Sequence, residues 1–185
     1  MFGNIPAIDV INLKANEGES YGESMKLLFA GKSGVTHSRP HETEGGWLTY
    51  LFYAGYGDLR NVVQSLSSLP ASYDKPVTMV VNDMDFDVVA RNLIMLLILM
   101  SLEDEAEAVD CVLHLWYSTM IRQSHLDILK THIRPLIKKV VKDMHKPASG
   151  GLIANTWVFG HCSVRAVLHW EQWKSLLSYL KYPLV

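Results

Sequence analysis

The sequence predicts an α/β fold with a mostly parallel sheet and a helical C-terminal extension. An apolar run at 48–54 ends in the glycine turn Gly55-Tyr-Gly57, and a helical pattern opens directly after it at Asp58. A second apolar run at 77–81 follows that helix. Strand, turn, helix and strand in this order are typical of a βαβ unit, whose parallel strands require a right-handed crossover.

The first half of the chain offers two candidates for the strand that begins this unit. Residues 26–30 and 48–54 are both short apolar runs, and the polar stretch 31–46 between them has no periodicity and predicts a loop. After the glycine turn, Asp58 is suited to cap a helix. The apolar positions of that helix are Leu59, Val62, Val63 and Leu66. The next helix, predicted over 87–100, is apolar nearly all round, which favours burial.

The second half of the chain predicts helices and a hairpin. Acidic residues at 103–107 open a helix to about Met120, where they favour the positive end of the helix dipole. Ser124 and Asp127 resemble a capping box for the next helix, and Pro135 should kink or divide that helix. Two short strands around Gly160 and a last amphipathic helix follow, over 156–159, 164–168 and 170–180.

Composition and charge exclude several classes of protein. The 185 residues are 49% hydrophobic and 19% charged, which is typical of a globular domain with a core. The formal net charge is −2, so no overall field favours nucleic acid or an anionic membrane. Cys111 and Cys162 are far apart and predict reduced thiols. With neither a signal peptide nor an apolar run of about 20 residues, the sequence predicts a cytoplasmic protein, with a nuclear one as the alternative.

Two long blocks of the sequence carry a family resemblance. They are Gly57-Asp-Leu-Arg-Asn-Val-Val63 and Val81-Asn-Asp-Met-Asp-Phe-Asp-Val-Val-Ala-Arg-Asn92, with further blocks at 4–14, 114–118, 156–160 and 171–179. Together they resemble a domain of unknown function from fungal proteins that commonly precedes a MYND zinc finger. A related domain begins the dynein axonemal assembly factor 3 proteins. The resemblance implies a Rossmann-like, methyltransferase-like unit of unestablished activity, and it names no catalytic residue.

The chain departs from this familiar pattern at two points. In the family pattern, the segment that corresponds to Leu27-Leu-Phe-Ala30 runs almost directly into the block that begins at Gly57. In this chain, residues 31–56 lie between the two. We hypothesise that Gly31–Tyr56 is an inserted segment translated from an unspliced intron, because its ends are compatible with donor and acceptor sequences. A mature transcript that encodes it would contradict this. The chain also holds no cluster of cysteines and histidines, so the expected zinc finger is absent from it.

The candidate cofactor-binding residues lie where predicted strands end and helices begin. They are Gly55, Gly57, Asp58, Arg60, Asn82 and Asp83. The two glycines followed by an acid resemble the first motif of S-adenosylmethionine-dependent methyltransferases. In that interpretation Asp83 holds ribose hydroxyls, and Arg60 meets an anion beside the N–H groups that open the helix.

We favour an architectural interpretation of the same residues. The third glycine of the full nucleotide fingerprint is missing, with Asn61 near its place, and no acid precedes Gly55 on the strand. Glycines permit a tight turn between strand and helix whatever the ligand, while Asp58 caps a helix and Asp83 caps or turns a loop. The cofactor is therefore unknown, with S-adenosylmethionine as a possibility, and no catalytic residue is assigned.

The remaining reactive side chains predict packing or solvation rather than chemistry. On one helix, His114, Trp116 and Tyr117 favour core or interface packing. His161 and Cys162 are adjacent, which does not suit binding of one metal, and Cys162 with His169 as base lacks an orienting third group.

Three further groups also have an ordinary interpretation. His125 and His132, seven residues apart, predict two surface histidines, and the basic face at Lys138, Lys139 and Lys142 predicts solvation. The alternating acids Asp83, Asp85 and Asp87 suit a divalent-ion site, but a strand-to-helix loop with a capping acid is favoured. No metal site is predicted.

The sequence therefore predicts a non-catalytic protein-interaction or regulatory module with a degenerate nucleotide-type pocket and protein partners. By resemblance, such a module is usually part of a larger MYND zinc-finger protein. An active S-adenosylmethionine-dependent methyltransferase is the alternative. A folding or assembly accessory is a third hypothesis, by analogy with the dynein assembly factor.

Overall fold

The computed structural model of the protein describes residues 29–30, 49–54, 59–73, 76–145 and 151–181. The chain divides into two compact units, Met1–Val89 and Ala90–Val185. Helices account for most of the described residues. Within the described ranges, no helix has both the length and the apolar character needed to cross a membrane.

The first unit contains a small parallel sheet. Its elements are β1 (Phe29–Ala30), β2 (Thr49–Ala54), α1 (Arg60–Ser67) and β3 (Val77–Asn82). The strand order is β1-β2-β3, and both pairs of neighbours are parallel. Both candidate first strands of the sequence therefore belong to the sheet, side by side. Although β2 falls within 31–56, the origin of that segment as an insertion stays a prediction.

Helix α1 buries a narrower face than the sequence predicts. Leu59, Val62 and Ser65 are buried, but the side chains of Val63 and Leu66 are 44% and 45% exposed. The prediction of a four-residue apolar stripe is therefore wrong, because a helix of two turns buries one row of side chains. The N-cap position is occupied by Leu59 rather than by Asp58, and no side chain caps the helix there.

Helix α2 (Phe86–Ser101) begins at the end of the first unit, where the sequence predicts it. The Asp85 carboxylate accepts a hydrogen bond from the backbone N–H of Asp87 at 2.9 Å and so satisfies one of the N–H groups that open the helix. The predicted burial of the helix is confirmed by six buried residues, which are Ala90, Asn92, Leu93, Met95, Leu97 and Ile98.

The second unit consists of helices and an antiparallel hairpin. After α2 come α3 (Glu105–Tyr117), α4 (Gln123–Ile128), a π-helical segment (Leu129–Ile133), α5 (Arg134–Asp143), β4 (Leu152–Phe159), β5 (Cys162–His169) and α6 (Trp170–Tyr179). The acids that open α3 lie where predicted: Asp104 caps the helix through the N–H of Glu107 at 3.0 Å. The capping box at Ser124 is wrong, because α4 already begins at Gln123 and has no side-chain cap.

Pro135 divides its helix, as the sequence predicts. The π-helical turn precedes it, and the N–H of Arg134 donates to the carbonyl of Leu129, five residues back. Pro135 then lies in the first turn of α5. Since proline lacks an N–H and its ring clashes with the carbonyl four residues earlier, the wider turn between the two α-helices removes the conflict.

The hairpin is held by a two-residue turn and by α6. Phe159 lies opposite Cys162, and Gly160 adopts a positive φ of 58° that residues with a side chain rarely take. Helix α6 packs against both β5 and α5. Its fully buried Trp173 donates from the indole N–H to the carbonyl of Ile153 on β4 at 3.1 Å. The sequence of β4 contains no charged residue.

The predicted fold class, a Rossmann-like and mostly parallel α/β fold, is wrong. A doubly wound sheet reverses its strand order and so creates a ligand-binding crevice, whereas the order β1-β2-β3 has no reversal among the described strands. Helix α2, which follows β3, is followed by three helices and an antiparallel hairpin, not by a further parallel strand. The βαβ pattern was local, and the helical packing after Ser101 determines the class.

We expect Trp173→Phe to lower the free energy of unfolding by about 2–4 kcal/mol, because the carbonyl of Ile153 loses its indole donor and the smaller ring leaves a cavity in the core. The measurement is urea unfolding followed by far-ultraviolet circular dichroism. Trp170→Phe is the matched control on the same helix: Trp170 is only partly buried, and its ring face, which Lys174 contacts at 3.8 Å, is kept. An equal loss in both variants would contradict the role of the hydrogen bond.

Candidate functional site

The predicted cofactor site is only partly within the described residues. Gly55, Gly57 and Asp58 lie outside them. Ala54, the last residue of β2, is opposite Asn82, the last residue of β3, so the carboxyl ends of these two strands are side by side. Arg60 begins α1 and is half-buried. The structure thus brings Asn82 and Asp83 to the strand end that precedes the glycine turn, and the cofactor-binding role of all six residues stays a prediction.

The acids that follow β3 have structural tasks. The Asp83 carboxylate accepts a hydrogen bond from the backbone N–H of Asp85 at 2.9 Å. Two residues further on, the Asp85 carboxylate accepts one from the N–H of Asp87, also at 2.9 Å. These are successive side-chain turns that lead the chain from strand into helix. Within the described ranges, no three His, Cys, Asp or Glu side chains are grouped so that they hold a metal ion.

A polar cluster that sequence reasoning missed joins α3 to the start of α4. The Asp110 carboxylate contacts Nε2 of His125 at 2.9 Å and a guanidinium nitrogen of Arg122 at 3.1 Å, both through Oδ2. Since an ionised carboxylate only accepts, the Nε2–H of His125 donates. The ring of His114 meets that of His125 edge-on, with centroids 4.9 Å apart. The prediction that His125 lies on the surface is wrong, because only 2% of it is exposed.

The charges around Asp110 set its protonation. The hydrogen bond from His125 is the largest cause that lowers the pKa of Asp110 below its usual 3.8; partial desolvation opposes the shift, and the charge of Arg122 adds to it. Next to it, burial raises the pKa of the Cys111 thiol to about 11, so this buried cysteine stays protonated and unreactive at neutral pH.

The cluster has the arrangement of a general base, but a substrate has no access to its histidine. A histidine held by a carboxylate is a common catalytic arrangement, yet it must reach the proton that it abstracts. The buried Nδ1 of His125 has no hydrogen-bond partner among the described residues. Because the ring is almost fully enclosed, a substrate does not reach it, and the cluster acts as a clamp between helices.

The other cysteine and histidine candidates are not brought together. Cys162 begins β5 and His169 ends it, so the two are separated by a strand that is about 20 Å long. They do not form a nucleophile and base pair.

The outward side of α3 is apolar, although its inward side is already buried. Ala108, Cys111, Val112 and Trp116 form the buried side. Four residues apart on the side that adjoins it lie Val109, Leu113 and Tyr117, which are 47%, 49% and 59% exposed. Residues at this spacing share one face of a helix. We call these three residues the outer face of α3.

The segment after α3 also exposes an apolar side chain. The hydroxyl of Ser118 donates to the carbonyl of Met120 at 2.8 Å and accepts the N–H of Met120 at 3.2 Å. This local turn presents Met120, which is 77% exposed, beside the end of the helix. Exposed Val, Leu and Tyr side chains on one helix face are characteristic of a protein-docking site.

The sequence held a signal for this face. The apolar residues of the run Glu105–Tyr117 form a stripe that is wider than the buried side, which is unusual for a helix at a surface. The prediction of packing for Trp116 is confirmed, since Trp116 is buried in the core. Tyr117 is on the exposed side, and its ring stacks on that of Trp116 with centroids 5.8 Å apart.

We expect the stability gained from Asp110 to depend on pH. A carboxyl group whose pKa is lower in the folded state stabilises the fold above its unfolded pKa of about 3.8, and the contribution is lost as the pH falls through the folded value. The difference in free energy of unfolding between wild type and Asp110→Asn should therefore be full at pH 6 and shrink below about pH 4. Urea unfolding over this pH range measures it.

Asp143→Asn, at an exposed acid on α5, is the control and should leave the free energy of unfolding near the wild-type value. A difference for Asp110→Asn that does not change between neutral and acidic pH would show that its charge is not what holds α3 and α4 together.

A protein-family model described as a domain of unknown function (DUF4470) matches residues 1–121. The matched region includes the strand ends, α2 and the whole of α3, with the outer face that α3 carries. No curated protein and no solved structure matches the chain.

Proposed function

The chain belongs to the DUF4470 family of domains of unknown function, and we propose that it is a non-catalytic protein-interaction module that docks through the outer face of α3. One observation carries the proposal: Val109, Leu113 and Tyr117 are exposed together on a helix whose other side is already buried. An apolar face in water is costly, and burial against a partner regains about 25 cal/mol for each Å² covered.

The polar cluster supports the same function. Asp110 lies beside the outer face and is held by His125 and Arg122, so α3 is fixed in orientation before a partner binds. A docking surface that is already ordered loses less conformational entropy on binding. The side chains of the surface suit an interface core, with an aromatic ring beside two aliphatic side chains.

The finer parts of the proposal come from the family resemblance. We propose that the module works beside a MYND zinc finger in a longer fungal protein, or as an assembly accessory related to the dynein factors, in the cytoplasm or nucleus. Two free cysteines, one of them exposed on β5, fit such a reducing compartment. In this proposal the strand ends of β2 and β3 form a degenerate pocket without a nucleotide-type cofactor.

We expect Leu113→Glu to abolish the binding of protein partners, because it places a charge in the centre of the apolar outer face. The measurement is affinity capture on the immobilised chain from an extract of its own source cells, quantified by mass spectrometry. Partners retained by the wild type should fall by at least about tenfold on the variant, which corresponds to 1.4 kcal/mol.

Val158→Glu is the matched control, since Val158 is also an exposed apolar residue, 72% accessible, but lies on β4. It should retain the same partners as the wild type. Circular dichroism confirms that both variants fold. If the wild type and Leu113→Glu capture identical partners, docking through the outer face of α3 is contradicted.

We expect no saturable binding of S-adenosylmethionine by isothermal titration calorimetry. The Asp83 carboxylate already accepts a backbone N–H in the turn before α2, so the group that would hold ribose hydroxyls has a structural task. Saturable binding by the wild type that Asp83→Ala abolishes would make the methyltransferase alternative the leading function. Asp127→Ala, which removes an exposed acid on α4, is the control for a general effect of charge.

A further inference from the structure

One side of α5 is strongly basic. Arg134, Lys138 and Lys142 follow each other at intervals of four residues, and Lys139 lies next to them. The three lysines are exposed, and Arg134 is partly exposed. Side chains at this interval share one side of a helix and recur every 6 Å or so along its axis, about 1.5 Å for each residue. We call these four residues the basic side of α5.

The described part of the chain supplies no counter-charge to the basic side. None of its four cations forms an ion pair with a carboxylate of the described residues, whereas Arg122 contacts Asp110 at 3.1 Å and Lys174 contacts Glu171 at 2.9 Å. The buried Nε of Arg134 also has no hydrogen-bond partner in the described ranges. The cations of the basic side are therefore left without a carboxylate, although other cations of the same unit have one.

The stability of α5 does not account for this arrangement. Like charges four residues apart on a helix repel each other, so each such pair destabilises the helix. The helix dipole favours a cation in the last turn, and its effect falls off beyond that turn. It accounts for Lys142, which lies in the last turn of α5, but not for Arg134 and Lys138. An anionic partner that neutralises these side chains accounts for all of them.

The surroundings of the basic side indicate which class of anion it suits. Single-stranded nucleic acid stacks its bases on aromatic side chains, and the run 129–145 contains no Phe, Tyr or Trp. A helix on a membrane surface turns its apolar side chains to the lipid, but those of α5, Ile137 and Val140, are buried. A nucleic-acid duplex or a bilayer also meets much of the remaining surface, and the net charge of the chain is −2.

A short acidic segment of a protein matches the basic side in reach and in spacing. At physiological salt, charges more than about 8 Å apart are largely screened, so such a segment interacts with the nearby cations and not with the net charge of the chain. Acidic residues at every fourth position of a helix recur every 6 Å or so, which is also the interval from Arg134 to Lys138 and from Lys138 to Lys142.

We propose that the basic side of α5 is a docking site for an acidic segment of a protein partner. The Asp or Glu carboxylates of that segment pair with Arg134, Lys138 and Lys142. This contact adds a second interaction surface to the one on α3 and does not depend on it, because it uses charge on a different helix.

Fluorescence anisotropy tests the proposal by titrating the full chain into a labelled peptide that repeats Glu-Ala-Ala-Ala. Binding should saturate, and it should weaken as salt rises from about 50 mM to about 500 mM, because salt screens exposed charges. The same peptide with Gln in place of Glu should not bind. The double variant Lys138→Glu/Lys142→Glu should weaken binding by at least about tenfold. A wild type without saturable binding, or a double variant that binds as the wild type does, would overturn the proposal.

Arg165→Glu is the matched control for the single variant Lys138→Glu, since both replace an exposed cation by an acid, but Arg165 is on β5. Lys138→Glu should weaken peptide binding, and Arg165→Glu should retain the wild-type affinity. An equal loss in both would show that the peptide responds to net charge and would contradict a site on α5. Lys138→Gln/Lys142→Gln, which removes the charges without adding acids, serves if circular dichroism shows that the acidic variants do not fold.

Labelled duplex DNA and vesicles of phosphatidylserine and phosphatidylcholine, titrated in the same way, test the class of anion. If either binds more tightly than the peptide and is lost with Lys138→Glu/Lys142→Glu, the basic side binds phosphate groups and the proposal is wrong. Failure of the peptide test leaves docking through the outer face of α3 to the capture experiment, which depends on Leu113.

Discussion

The arrangement of the second unit depends on the carboxylate of Asp110. It accepts hydrogen bonds from His125 and Arg122 and so joins α3 to the start of α4, within a short connection that has no side-chain cap of its own. His125 is buried by this contact, and a buried imidazole without a partner at Nε2 would be costly. The contact acts together with the buried side chains of α3, such as Cys111 and Trp116, to hold the helix in one rotation about its axis.

Helix α3 combines two requirements that usually belong to different helices. One side holds Trp116 and Cys111 in the core, as in an ordinary amphipathic helix. The adjoining side carries the exposed Leu113 and its neighbours, where solvent favours polar residues. A chain that keeps such a face exposed gives up solubility, which is why a docking role accounts for it better than stability does.

Local patterns were predicted well, and their assembly was not. The strands at 49–54 and 77–82, the buried helix α2, the acidic start of α3 and the division at Pro135 all follow from periodicity, capping and the geometry of proline. The fold class failed because one βαβ pattern was extended to the whole chain, although the residues after Ser101 hold no further apolar run of the parallel type. Periodicity describes one element at a time and does not say which elements pack together.

The candidate site shows the same limit. His125 and Asp110 are 15 residues apart and on different helices, so nothing local in the sequence distinguishes His125 from His132, which is exposed. The outer face of α3 was visible in the spacing of Val109, Leu113 and Tyr117. However, which of the apolar residues face solvent depends on the tertiary packing. From the sequence, Trp116 was as good a candidate for exposure to solvent as Tyr117.

The composition of strand β4 favours aggregation of the chain before it has folded. It is eight residues long, has no charge, proline or glycine, and contains several residues that favour extended structure. Such a segment, when β5 and Trp173 do not yet cover it, is a template for cross-β stacking between nascent chains. Synthesis at high concentration therefore favours inclusion bodies unless a chaperone holds this segment until α6 has docked.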